Sequence, residues 1–158
     1  MCAVLAAVAL ALSYAESLIP LPAPVPGMKP GFANIAIVVA LYLLGGRRAF
    51  AVNVLRIALA GLMFSGVFAM FYALAGGISA MLAMVALKRT GAFSVIGVSV
   101  GGSAAHITGQ IVLASLIIRR GALFAGLPIF LISAVAGGVI VGLIAHLLLR
   151  ALPRRITE

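Results

Sequence analysis

The sequence predicts an all-α membrane protein, a single bundle of six transmembrane helices with both termini on the cytoplasmic side. Three observations lead there. The 158 residues are 65% hydrophobic and only 8% charged, and their mean hydropathy is +1.34; that is the composition of integral membrane proteins, not of soluble domains. Long apolar runs are separated by short breaks, and the basic residues gather at those breaks, as membrane-flanking charges do. The length suits one integral membrane domain, residues 1–158, with no second domain.

The first helix is expected over about 3–19. It has no charged leader and no obvious cleavage site, so it reads as a retained helix and not a signal peptide. An outer lid loop, residues 20–32, follows; the stretch "ESLIPLPAPVPGMKPGFAN" around it holds five of the seven prolines, Lys29, and Glu16, one of only two acids. The second helix spans about 33–44 and stops at Gly45-Gly46-Arg47-Arg48. The third spans about 49–62 and the fourth about 66–87, ending at Lys88-Arg89. The fifth spans about 93–118, ending at Arg119-Arg120, and the sixth about 123–149, ending in the basic tail "RALPRRITE". A bilayer core needs about 20 helical residues. The second and third helices are short by that measure, so they must be tilted, shielded by neighbours or bounded elsewhere. The break at "GLMFSG" decides between six helices and five.

Charge sets the orientation. With the N-terminus inside, Arg47, Arg48, Lys88, Arg89, Arg150, Arg154 and Arg155 lie inside and Lys29, Arg119 and Arg120 outside, seven against three. The proline loop then faces outward. The net charge of +9 does not signal a nucleic-acid partner, because no continuous basic face exists. Cys2 is the one cysteine, so there is no internal disulfide.

Two kinds of helix face carry the functional reading. Ala3, Ala7, Ala11 and Ala15 recur at four-residue spacing on the first helix, drifting about 40° per step and so sharing a face. Small side chains let another helix approach closely in lipid, where no hydrophobic force drives association. Either this is a docking stripe for a partner, or alanine is simply abundant here. On the fifth helix Gly97, Gly101, Ala105 and Gly109 form a small-residue stripe, while Ser99, Ser103, His106 and Gln110 gather opposite. Polar groups at membrane depth are costly and usually face a protein interior or a cavity; interhelical hydrogen bonding is the alternative for His106. The sixth helix repeats the close-packing device with Ala134, Gly138, Gly142 and His146.

The third helix contributes Asn53 and Arg56, one turn apart. A guanidinium near mid-helix needs an anion or several carbonyls. Two readings stand: Arg56 pairs with Glu16, or it binds an anionic substrate group, with Glu16 then turned to Lys29 or to a substrate donor. In the loop, prolines lower the ordering cost, and Asn34 sits near the start of the second helix, where free N–H groups favour an anion. Catalytic chemistry is not expected. There is no phosphate-cradling glycine loop followed by lysine, no paired acids and no Cys/His metal spacing. No catalytic residue, metal site or cofactor is therefore assigned.

The segments "MKPGFANIAIVVALYLLG" and "GVSVGGSAAHITGQI", with the alanine ladder, resemble the Gx transporter family, also labelled heptaprenyl diphosphate synthase component I, from about Ala3 to Leu149. Through it the chain resembles the substrate-binding S-components of energy-coupling factor transporters. The resemblance implies a multi-pass protein of a prokaryotic cytoplasmic membrane. It would bind a small organic compound, anionic or aromatic, between helices on the outer side under the first loop. It would dock through the first helix to a membrane coupling subunit driven by ATPase subunits. Nickel and cobalt S-components use a histidine close to the initiator methionine; here the start is Met1-Cys2-Ala3, which argues against metal transport. The expected substrate contacts are Arg56, His106, Gln110, Asn34, Lys29, Glu16, Asn53 and Ser103. The alternative is a non-transporting membrane subunit associated with prenyl diphosphate or quinone synthesis, or with a membrane redox assembly.

Overall fold

The computed structural model describes residues 1–19, 31–119 and 121–152. They form six α-helices: α1 Cys2–Ser17, α2 Ala33–Leu44, α3 Gly46–Ala60, α4 Val67–Thr90, α5 Val95–Ile118 and α6 Leu127–Ala151. Among the described residues there is no strand. Lys29, Arg120, Arg154, Arg155 and residues 20–30 of the expected lid loop lie outside the described residues.

The break at "GLMFSG" is real, so the count is six and not five. α3 runs on through a π-helical turn, Gly61–Ser65, before the chain reverses at Gly66, whose φ of 85° lies where side-chain-bearing residues are strained. Gly45, with φ 82°, makes the corresponding break between α2 and α3. The π turn lengthens the third span beyond the expected residue 62, and Gly46–Ser65 is a 20-residue apolar stretch.

Four stretches, Gly46–Ser65, Val67–Thr90, Val95–Ile118 and Leu123–Ala151, are long and apolar enough to cross a bilayer. α1 and α2 are shorter; of the two helices expected to be short, α2 is so, while α3 reaches spanning length through its π turn. The reason for α2 is burial. Ala33 and Ile35 to Leu41 are all buried, and α2 packs against α1, α3 and α6. A helix walled in by others does not need to match the hydrocarbon thickness with its own apolar length. With Ala9, Val52, Met81, Val98 and Val141, α2 forms the core of the bundle.

Glycines set how closely the later helices approach. A Cβ on Gly138 would lie 2.8 Å from Val100 Cα, and one on Gly142 2.8 Å from Ile96 Cα, so the backbones of α5 and α6 are nearly in contact. Gly109 plays the same part against α4, where a Cβ would meet Ala75 O at 2.8 Å. Such contact is the dispersion-based adhesion available to helices in lipid. At the α2–α3 end of the bundle, the Lys88 ammonium donates to Leu41 O at 2.8 Å and lies 4.5 Å from the centre of the Tyr42 ring. It thus satisfies a carbonyl in the last turn of α2, where a cation is favoured. At the other end Tyr14 of α1 and Phe64 of the π turn stack edge-on, 5.4 Å between centroids.

Candidate functional site

The polar groups of α1, α2, α3 and α4 meet at Arg56. α1 turns Ala9, Ser13 and Glu16 inward; the i, i+4, i+7 spacing keeps them on one face. Arg56 is 9% exposed and Glu16 4%. The guanidinium donates four hydrogen bonds: Nε to Asn53 Oδ1 at 3.2 Å, Nη2 to Asn53 Oδ1 at 3.1 Å and to Asn34 Oδ1 at 3.0 Å, and Nη1 to Ser13 Oγ at 3.1 Å. Ser13 in turn donates to Ala9 O at 2.9 Å, and Asn53 Nδ2 donates to Gly77 O at 3.1 Å. Among the described residues every acceptor of Arg56 is neutral. The Asn34 bond is the one that is only part-buried, which marks it as the accessible edge of the cluster.

Glu16 also reaches the start of α2. Its Oε1 accepts from the N–H of Ala33 at 3.4 Å. Ala33 opens α2, where backbone donors lack intrahelical partners and a negative charge is favoured. The anion anticipated at this helix start is thus a carboxylate of the chain itself. Asn34 acts through its side chain, on Arg56. Glu16 still lies close enough to act on the guanidinium electrostatically.

The second part of the site faces α4 from the other side. A Cβ on Gly76 would lie 2.8 Å from His106 Nε2 and 2.9 Å from Gln110 Cγ, while one on Gly77 would lie 3.0 Å from Asn53 Nδ2. The Gly76-Gly77 pair therefore lets α3 and α5 bring polar side chains against adjacent residues of α4. Gln110 is fully buried, and His106 is half-buried.

The structure brings together Arg56, Asn53, Asn34 and Glu16, with His106 and Gln110 across the glycine pair. Ser103 stands apart: it packs on Gly138 of α6, whose Cβ would lie 2.9 Å from its Oγ. The polar face of α5 is therefore divided, with Ser99 and Ser103 toward α6 and His106 and Gln110 toward α4. Ser13, Gly76 and Gly77 were missed by sequence reasoning. Ser13 carried a usable signal, since it lies one turn from Glu16 on the face opposite the alanine ladder. Ala3, Ala7, Ala11 and Ala15 are all exposed. Among the described residues no group of three His, Cys, Asp or Glu side chains is placed to hold a metal ion.

The family model described as heptaprenyl diphosphate synthase component I matches residues 5–148. No curated protein and no solved structure matches the chain.

Proposed function

The chain belongs to the heptaprenyl diphosphate synthase component I family, and from that premise we propose that it is a substrate-binding membrane subunit rather than an enzyme. In this reading it captures a small anionic organic compound at the outer side of a prokaryotic cytoplasmic membrane. Like an S-component, it works with a membrane coupling subunit and ATPase subunits supplied by other chains. The carrying observation is Arg56, a buried guanidinium whose four hydrogen bonds go to neutral oxygens. Such a network fixes the group's position without neutralising its charge through a hydrogen-bonded carboxylate. A ligand carboxylate or phosphate can take up that charge, and it meets a planar, preorganised donor set. Asn34, the part-buried partner, marks the side from which a ligand reaches the guanidinium. The exposed alanine ladder supports docking, because it leaves a face of small side chains on α1 that no other helix among the described residues covers.

The family description favours one other reading, a membrane component that accompanies a prenyl diphosphate synthase without transporting anything. Affinity purification of the tagged chain from its native membranes separates the two. Recovery of a transmembrane coupling subunit with ATPases supports the first. Recovery of a prenyl-transferring subunit without ATPases overturns it in favour of the second.

A further inference from the structure

His106 is a polar side chain at membrane depth whose hydrogen-bonding capacity is not fully used among the described residues. Its Nδ1 is buried and has no hydrogen-bond partner among the described residues. The opposite edge of the ring is turned to Gly76, where a Cβ would lie 2.8 Å from both Cδ2 and Nε2. Any side chain at residue 76 would displace the ring. A buried polar atom without a partner costs free energy, and such groups in folded proteins generally have a reason to exist. Ser99 Oγ is likewise unmet, but it lies at the α5–α6 seam against Gly142, away from Arg56. His106 instead belongs to the Arg56 cluster through the chain Arg56, Asn53, Gly77, Gly76.

We propose that His106, with its proton on Nε2, is the second anchor of the site, accepting a hydrogen bond at Nδ1 from an N–H or O–H of the ligand. The ligand class is then bipartite: an oxyanion for Arg56 and, on the same small molecule, an uncharged hydrogen-bond donor for His106. This rests on the reading of Arg56 as the anion contact. A neutral imidazole offers one acceptor nitrogen, so the site discriminates by donor as well as by charge. A compound with the anion but without the donor leaves Nδ1 without a partner and gains nothing from it.

The test uses two matched pairs of carboxylates on the full chain in nanodiscs. Pyrrole-2-carboxylate and furan-2-carboxylate differ in a ring N–H; 4-hydroxybenzoate and benzoate differ in a distal O–H. At least one donor-bearing member is expected to bind about 3- to 10-fold more tightly than its partner, the range of one net hydrogen bond. That preference is expected to vanish in His106→Phe and to persist in His106→Gln, whose amide oxygen still accepts. Should His106→Phe fail to fold, the 15N resonance of His106 Nδ1 in the native chain gives the same answer. It is expected to shift on adding the donor-bearing compound and not its partner. Equal affinity within both pairs, a preference that survives His106→Phe, an unmoved Nδ1 resonance, or no binding of any of the four overturns the proposal. Arg56→Lys distinguishes the two levels. If it weakens both members of a pair while the pair stays undiscriminated, the Arg56 reading stands and the His106 anchor falls. If it changes neither affinity, the Arg56 reading itself falls.

Discussion

Replacing Arg56 separates an anion-binding role from a purely architectural one. Arg56→Ala removes four hydrogen bonds and leaves Asn53 Oδ1, Asn34 Oδ1 and Ser13 Oγ without this donor. Three acceptors at about 1 kcal/mol each, the low end for unmet buried groups, give roughly 3 kcal/mol. Glu16, 4% exposed, also loses the nearby positive charge. Breaking a buried charge arrangement from one side costs about 3 to 5 kcal/mol, so the two routes agree. At about 2 to 4 °C per kcal/mol for a chain of this size, the midpoint of thermal unfolding falls by roughly 6 to 20 °C. Glu16→Gln added to Arg56→Ala removes the stranded charge and keeps an oxygen for the Ala33 N–H. It is expected to recover roughly 1 to 2 kcal/mol. Affinity behaves differently. Arg56→Ala is expected to weaken carboxylate binding by about 30- to 5000-fold, the range for losing a charge-assisted contact in a dry site. The double variant does not recover it. Arg56→Lys retains part of the affinity, since it supplies charge without the planar fork. The assay is thermal unfolding and equilibrium binding on the same four proteins in detergent. Stability that falls and is rescued, with affinity unchanged throughout, refutes the reasoning and leaves Arg56 as a strut between helices.

Three further outcomes follow from the packing. Gly142→Ala places a methyl 2.8 Å from Ile96 Cα, which cannot swing aside, whereas Gly101→Ala meets the movable end of the Leu87 side chain; thermal unfolding is expected to show the larger loss for Gly142→Ala, about 1 to 3 kcal/mol for overpacking. Gly76→Ala, whose methyl would fall 2.8 Å from His106 and 2.9 Å from Gln110, is expected to weaken 4-hydroxybenzoate binding more than benzoate binding in titration calorimetry. Ala7→Trp is expected to leave carboxylate affinity unchanged and to abolish co-purification of the coupling subunit, since bulk on an exposed face blocks helix approach without touching the interior.

Much of this architecture was legible because membrane sequences are strongly constrained. Hydropathy and breaks between apolar runs pointed to six helices, with the α3–α4 break at "GLMFSG" left open between six and five, and Gly138 and Gly142 of α6 were rightly read as close-packing positions. The short α2 left tilt, shielding by neighbours and other bounds open, and the burial of Ile35 to Leu41 selects shielding. The π turn at Gly61–Ser65 was invisible, because periodicity does not distinguish a widened turn from a helix end. At the site, spacing grouped Asn53 with Arg56 correctly, since that is a property of one helix. Spacing on α5 also grouped Ser103 with His106, yet the helix face is wide enough for two neighbours, and α6 claims Ser103. Glu16 was noticed for being a rare acid; its role depended on where α2 begins in space, which no one-dimensional pattern encodes. Gly76 and Gly77 looked like two more glycines in a glycine-rich chain, and only the side chains arriving from α3 and α5 distinguish them.

The central claim is that the chain holds a small acidic molecule through Arg56. Native mass spectrometry of the tagged chain, released from its native membranes, tests this most directly. The account predicts the wild-type mass plus one small molecule bearing a carboxylate or phosphate, absent from an Arg56→Ala, Glu16→Gln double variant that remains folded. A wild-type chain that carries no such molecule, or a folded double variant that carries it equally, would contradict the account.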